Sequence, residues 1–241
     1  MRHDVTKNIA NKFDKYAISY DENAYLQSQI ADYFSLFIQK NCINIDKICE
    51  IGCGTGNLTQ KISKIFTNSS ITALDISKNS IEIAKKKVEN SNVKFKIESA
   101  INCKYTDYDG IISSMSLHWL GENLLEFLKT LEVNYAYFAI PVENSLMQVK
   151  NRILELGALD TITKFPKNAD IIEVLGQKFN IKSEIFRVKT QMQMNKAIKN
   201  LAKFGTLSNN RNSIANIKKI LEDNKIIDID YEVLMLFCER K

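Results

Sequence analysis

Apolar positions along the chain recur in two rhythms, and their order predicts an architecture. Between Ala24 and Lys40, Leu26, Ile30, Tyr33, Phe34, Phe37 and Ile38 fall three and four apart, which predicts an amphipathic helix closed by Asn41. Lys47–Ile51 is a short apolar run that enters glycines, the pattern of a buried strand reaching a sharp turn. Helical spacing returns over Asn57–Phe66, with Leu58, Ile62 and Ile65 inward, and Ser70–Leu74 is a second strand stopped by Asp75. Ser77 caps a helix over Lys78–Glu89 whose inner face is Ile81, Ala84 and Val88. A third strand follows at Val93–Ile97, a fourth within Tyr108–Ser114, a helix at Asn123–Leu131, and a fifth strand at Tyr135–Ile140 ended by Pro141.

Strands alternating with helices at this spacing predict parallel βαβ units, hence an α/β fold with helices on both faces of a sheet. The second half is less regular. Helices are predicted at Ser145–Leu156, Ala169–Phe179, Met194–Phe204 and Ser213–Asp223, and strands at Ile181–Val188 and Tyr231–Cys238. With no internal repeat and only two prolines, no linker divides the chain, so residues 1–241 are expected to form one domain. Residues 1–40 would be an N-terminal cap segment, and 192–224 a helical lid insertion.

Composition narrows this little. A chain of 241 residues, 45% of them hydrophobic, can bury a core without disulfides. The 33 basic and 28 acidic residues leave a formal charge of +5, which permits an acidic partner; without a basic tail or block, nucleic acid is not an expected one. Cys42, Cys49, Cys53, Cys103 and Cys238 are odd in number and form no CxxC pair, which argues against a zinc site and a disulfide framework. The N-terminal stretch lacks a signal-type apolar core and no run is long enough to span a bilayer, so a cytoplasmic protein without membrane contact is expected.

The sharpest chemical signal is Glu50-Ile-Gly52-Cys53-Gly54-Thr-Gly56-Asn-Leu58, between the first strand and its helix. Glycines there let the backbone turn tightly and approach a ligand, and the helix N-terminus offers unpaired N–H groups. Asp75 closes the second strand 19 residues after Gly56, where a carboxylate can accept both hydroxyls of a ribose. The glycine spacing is GxGxG, not the GxGxxG that packs around a pyrophosphate. Glu50 at the loop mouth would repel a pyrophosphate and suits a cationic amino-acid moiety, which favours S-adenosylmethionine over NAD.

The segment ICEIGCGTGNLTQ with ALDIS resembles the first two cofactor motifs of class I S-adenosylmethionine-dependent methyltransferases. That resemblance implies a Rossmann-like seven-stranded sheet whose last strand is antiparallel. Tyr231–Cys238 would be that strand and Ile181–Val188 its parallel neighbour. It also implies that Glu50, Gly52, Cys53, Gly54 and Gly56 line the methionine side of the cofactor, that Asp75 holds the ribose, and that Ile76 packs on the adenine. The opening FDKYAISYDENAYLQSQIAD, the stretch SSMSLHWL and the segment AIKNLAKFGTLSNN are similar to the malonyl-[acyl-carrier protein] O-methyltransferases of biotin synthesis. This family methylates the free carboxylate of a malonyl thioester on acyl-carrier protein, yields S-adenosylhomocysteine and needs no metal.

Departures from the family pattern fall at Ser99 and Ala100, where a Gly-Asp pair is usual, and at His118, which replaces a glutamine before Trp119. The adenine would then be held by backbone groups or by Glu98. Ser114, at the end of the fourth strand, completes the expected cofactor set. Tyr20 and Gln27 would approach the methionine end, or else pack at the sheet rim and face solvent. His118 is either a hydrogen-bond donor to the acceptor carboxylate, making it with Tyr20 a catalytic candidate, or a structural histidine. Arg152 is either a carboxylate ligand or a solvated side chain. Lys196, Lys199 and Lys203 share one helical face, which is either a docking surface for the acidic carrier or an ordinary solvated face. Two rival readings are a methyltransferase for a free small carboxylic acid of the trans-aconitate type and a non-catalytic scaffold on a methyltransferase-like fold.

Overall fold

A computed structural model describes residues 11, 13–17, 24–203, 206–207 and 214–241. Tyr20 and residues 208–213 lie outside these. Seven strands form one sheet in the order β3-β2-β1-β4-β5-β7-β6. They are β1 (Lys47–Ile51), β2 (Ser70–Asp75), β3 (Val93–Ile97), β4 (Gly110–Ser114), β5 (Tyr135–Pro141), β6 (Phe179–Gln193) and β7 (Ile226–Arg240). The first five are mutually parallel, and β7 pairs antiparallel with both β5 and β6. β6 therefore runs with the first five strands, the parallel neighbour expected beside an antiparallel last strand. β7 inserts between two strands that run the same way, so it opposes both.

Both late strands have 15 residues and are paired along their whole length, from Phe179 opposite Arg240 to Gln193 opposite Ile226. Their alternation is masked. β7 is buried almost continuously in its second half, and β6 is a largely polar edge. The central strands β1, β4 and β5 are buried on both faces, which accounts for their unbroken apolar runs.

Eight helices flank the sheet among the described residues: α1 (Tyr25–Lys40), α2 (Asn57–Ile65), α3 (Lys78–Lys87), α4 (Leu124–Thr130), α5 (Met147–Glu155), α6 (Asn168–Gly176), α7 (Met194–Lys203) and α8 (Ile214–Glu222). Residues 13–17 add a short helical segment. On one face Ile30, Phe34 and Ile38 of α1 pack with Ile62, Val149 and Ile198 against Tyr137 and Met235 of the sheet. On the other, Leu128 of α4 and Ile171 and Leu175 of α6 pack with Ile111, Phe138 and Leu236. Tyr33 departs from the expected stripe. It is exposed at the helix edge, and its ring stacks on Phe186 of β6 at 4.1 Å.

Asn41 ends α1 as expected, its side-chain amide donating to Phe37 O at 3.0 Å. The Ser77 hydroxyl caps α3 by accepting from the Ser80 N–H at 3.1 Å. One element has no periodic signal, a 3-10 helix over Leu117–Asn123 broken at Gly121 by a positive φ of 55°. No helix among the described residues is long and apolar enough to cross a membrane.

Candidate active site

The chain reverses its progress across the sheet between β1 and β4, which places a crevice at the carboxyl ends of these strands. A cavity of about 830 Å³ occupies that position. Its floor is the glycine loop. Gly52 and Cys53 both donate their backbone N–H to Leu74 O, at 2.8 and 2.9 Å, so the loop is pinned to the end of β2. Gly52, Gly54 and Gly56 all have positive φ, at 70°, 54° and 84°.

The three glycines answer different constraints. A Cβ on Gly52 would collide with the Ser116 side chain, whereas a Cβ on Gly54 would meet nothing within 4 Å. Gly54 therefore keeps its face open to the cavity. Gly56 does not line the cavity; its missing Cβ admits Ala84 of α3, which a methyl would approach to 3.0 Å. The glycine expected to touch a cofactor instead lets two helices pack.

Asp75 ends β2 with both oxygens engaged. Oδ2 accepts from the Gly54 N–H and Oδ1 from the Ser77 N–H, each at 2.8 Å. Burial raises its pKa above the usual carboxylate range, against the pull of these amides. Glu50 is more extreme. It is 1% exposed and its Oε2 has no hydrogen-bond partner, and burial pushes its pKa up to about 8, with Thr59 lowering it and the nearby Asp75 raising it further. Cys53 lines the same wall, its thiol held protonated by burial.

Gln27, Ile76, Ser99, Ala100, Ser114 and His118 all line this cavity, as does Glu98. The Ala100 carbonyl accepts from the Tyr105 hydroxyl at 2.6 Å, which leaves its second lone pair for an adenine amino group. The Glu98 carboxylate stands 2.7 Å from Lys96 Nζ. His118 is 5% exposed, its Nδ1 is buried without a partner, and burial pushes its pKa down to about 3. It is a neutral imidazole between Trp119 at 4.6 Å and Phe165 at 5.7 Å. Arg152 is removed from the candidates. Its Nε lies 2.6 Å from Asp223 and its Nη1 2.8 Å from Glu155, so it ties α5 to the end of α8.

Several contributors were not foreseen. Phe13 and Ala17, one helical turn apart, line the cavity from the N-terminal segment. Between them, Asp14 Oδ1 accepts from the Ser77 hydroxyl at 2.7 Å and from the Asn79 N–H at 3.0 Å. Phe13 meets Trp119 edge-on at 5.7 Å. The segment thus bridges the cavity from the start of α3 to the loop after β4. Ser116, Thr206 and Tyr231 also line it, and Ser116 is aimed at Gly52 by Met115, whose positive φ of 52° is rare for a side-chain-bearing residue. The i, i+4 pairing of Phe13 and Ala17 was legible; the approach of Thr206 and Tyr231 depends on the β6–β7 return and was not.

The charge of the wall is one-sided. Glu50, Asp75, Glu98, Glu126 and Glu132 line the cavity, and among the described residues no lysine or arginine does. Nor is there, among the described residues, a cluster of histidine, cysteine and carboxylate side chains that could hold a metal.

A family model described as a methyltransferase domain matches residues 48–132, which run from β1 to just past α4. A malonyl-[acyl-carrier protein] O-methyltransferase of Ilyobacter polytropus is 30% identical over 219 residues, covering 85% of this chain and 83% of the relative. A second protein of that name from the same organism is 28% identical over 97% of this chain and 94% of the relative. Among solved structures, magnesium protoporphyrin IX methyltransferase from Synechocystis PCC 6803 with bound S-adenosylhomocysteine has a TM-score of 0.62 at 13% identity, covering 98% of this chain and 100% of that one. The YcgJ protein from Bacillus subtilis has a TM-score of 0.58 at 14% identity, covering 87% and 99%. At such identities these structures speak for the fold alone. With the glycine loop, the acid ending β2 and the sheet order of that fold in place, and a 30% identical relative matched along most of its length, the chain belongs to the class I S-adenosylmethionine-dependent methyltransferases, in the family of the malonyl-[acyl-carrier protein] O-methyltransferases.

Proposed function

We propose that the protein binds S-adenosylmethionine and methylates the free carboxylate of a malonyl thioester carried by acyl-carrier protein, the masking step that opens the pimeloyl arm in biotin synthesis. The observation that carries this reading is the charge of the cavity wall, five carboxylates with no lysine or arginine among the described residues. Such a wall repels a pyrophosphate and favours a cationic ligand. S-adenosylmethionine, when bound, supplies a methyl group already activated on a sulfonium. Glu50 Oε2, buried and unpartnered, is an acceptor for an ammonium. Asp75 has one lone pair of each oxygen taken by a backbone amide and another left for a ribose hydroxyl.

The acceptor's demands are modest. A malonyl carboxylate is ionised near neutral pH and is itself the nucleophile, so the chain need not supply a general base. His118, Ser116, Thr206 and Tyr231 are neutral side chains on the same cavity. Neutral donors orient a carboxylate without the tight pairing by which a lysine or arginine would blunt its nucleophilicity. Phe13 and Trp119, in edge-on contact on the cavity, supply apolar surface beside the reacting groups, and a drier site strengthens the attraction between carboxylate and sulfonium. The role of orientation then dominates over that of acid–base chemistry.

The test is methyl transfer to malonyl-carrier protein, followed by intact-protein mass spectrometry, with succinyl-carrier protein and free malonate alongside. The expected product is a malonyl methyl ester on the carrier. Methylation of free malonate without methylation of the carrier-bound acid would assign the protein to small-acid chemistry instead.

A further inference from the structure

α7 is built unlike the other helices of this chain. Its sequence from Met194 to Lys203 contains three lysines and no acidic residue. Met194, Ala197, Ile198 and Leu201 are buried, and Lys196, Lys199 and Lys203 lie at i, i+3 and i+7 on the outward side. Elsewhere some lysines pair with acids, Lys61 with Asp32, Lys85 with Glu82 and Lys218 with Glu222, while others, such as Lys64 and Lys86, stand in no ion pair among the described residues but are not gathered on one concave face. No ion pair among the described residues includes the three lysines of α7.

These lysines converge on a depression of about 500 Å³ lined also by Asn200 and Tyr16. A fourth ammonium, Lys15 Nζ, lies 5.3 Å from the centre of the Tyr16 ring. The depression adjoins the active-site cavity through both of its walls. Phe13 and Ala17, on either side of Tyr16 in the N-terminal segment, line the cavity, and so does Thr206, three residues beyond the end of α7. A basic concavity thus stands at the rim of an acidic cavity, and the two call for ligands of opposite charge.

We propose that this face of α7, with the N-terminal segment beside it, docks the acidic surface of a carrier protein and seats the phosphodiester at the root of its prosthetic arm. The arm's acyl end then enters the neighbouring cavity. This rests on the function proposed above, because only a carrier-borne substrate needs a docking surface at the cavity rim. Reversing three lysine charges opposite carboxylates or a phosphate corresponds to roughly a 10-fold or larger change in affinity at low salt.

The experiment compares the wild-type protein with a Lys196→Glu/Lys199→Glu/Lys203→Glu variant and with a charge-matched Lys64→Glu/Lys86→Glu/Lys94→Glu control. Lys64, Lys86 and Lys94 are exposed on α2, α3 and β3, remote along the sheet order from β6 and α7. Two readouts are taken at low ionic strength: calorimetric binding of holo-acyl-carrier protein, and methylation of malonyl-carrier protein against malonyl-N-acetylcysteamine, whose short arm is uncharged. The α7 variant is expected to lose at least 10-fold in carrier affinity and to raise KM for malonyl-carrier protein by a similar factor. Its kcat and its turnover of the short thioester should be unchanged, and the control should match wild type. Wild-type carrier affinity in the α7 variant, or an equal loss with the short thioester, overturns the docking face. Loss of carrier binding in the α7 variant alone, with no malonyl thioester methylated by any of the three proteins, keeps the face and rejects the chemistry proposed for the site.

Discussion

At Glu50 stability and binding are set against each other. Its pKa is raised from an ordinary 4.5 to about 8, so the folded, unliganded protein holds a proton that the unfolded chain has already lost at neutral pH. The stability contributed by that proton is complete below about pH 4.5 and is lost as pH rises through about 8. Glu50→Gln removes the penalty. At pH 8 the unliganded variant should melt about 3 °C or more above wild type, and at pH 4 the two should coincide. Binding moves the other way. An ammonium stabilises the ionised carboxylate, so wild-type affinity for S-adenosylmethionine should climb between pH 6 and 8, with a proton released on binding. The variant should bind 10- to 100-fold more weakly, with no climb, a loss of about 1.5–3 kcal/mol for a charge-assisted hydrogen bond. Calorimetry in buffers of different ionisation enthalpy reads the proton directly; equal pH profiles for both proteins would remove Glu50 from the site. Gly52 tests a different constraint. Gly52→Ala adds a methyl where the Ser116 side chain stands, at a φ of 70°. The added Ser116→Gly change should restore part of the lost cofactor affinity but not the cost of the backbone conformation, about 1–2 kcal/mol.

The N-terminal segment is held over the cavity by its own side chains. Asp14 accepts from the Ser77 hydroxyl and the Asn79 N–H at the first turn of α3, two residues beyond Asp75. Ser77 remains the cap of α3 without it, so Asp14→Ala should leave α3 formed and lower Tm by no more than about 1–2 °C. The release of bound S-adenosylmethionine should accelerate about 5- to 10-fold, measured by stopped-flow displacement. A large fall in Tm with unchanged release would make the contact purely structural. This element also marks where sequence reading succeeds and stops. The parallel strands were legible because burial on both faces leaves unbroken apolar runs, and the glycine loop because positive φ and close approach admit few other residues. The full 15-residue extent of β6 and β7 was not, since their ends are set by pairing with each other and neither a largely polar edge strand nor an almost continuously buried one shows an alternation that marks them. Asp14 was missed for a similar reason, its partners being 63 and 65 residues away. Gly56 shows a subtler limit: the motif marks a position that must be glycine, and the close approach of Ala84 shows a packing constraint that the motif does not name.

Across the whole molecule the sign of the charge changes with depth. The chain carries a formal excess of +5, while the described cavity wall holds five carboxylates and no lysine or arginine. An acceptor carboxylate entering first would find no lysine or arginine on the described wall, where Glu50 still holds its proton and Glu98 is paired with Lys96, and each ionised carboxylate about 8 Å away at an effective dielectric near 20 costs about 2 kcal/mol. With a sulfonium and an ammonium in place the same carboxylate is attracted. Binding should therefore be ordered, cofactor before acceptor, and in the proposed reaction the charge that sets the order would vanish, because methyl transfer to a carboxylate turns sulfonium into thioether and carboxylate into ester. Both products lose the attraction that held the reactants, which favours their release. The prediction separates charge from shape by using two cofactor analogues of similar size. Sinefungin keeps a cationic amine near the sulfonium position, and S-adenosylhomocysteine is neutral there. Malonyl-carrier protein should bind the sinefungin complex at least 10-fold more tightly than the S-adenosylhomocysteine complex, and the free protein most weakly of the three. The malonyl methyl ester, having no charge to place, should not distinguish the two complexes. If the free acid shows the same indifference, the acidic wall sets only the cofactor's affinity, and the order of binding must come from the closing of the N-terminal segment instead.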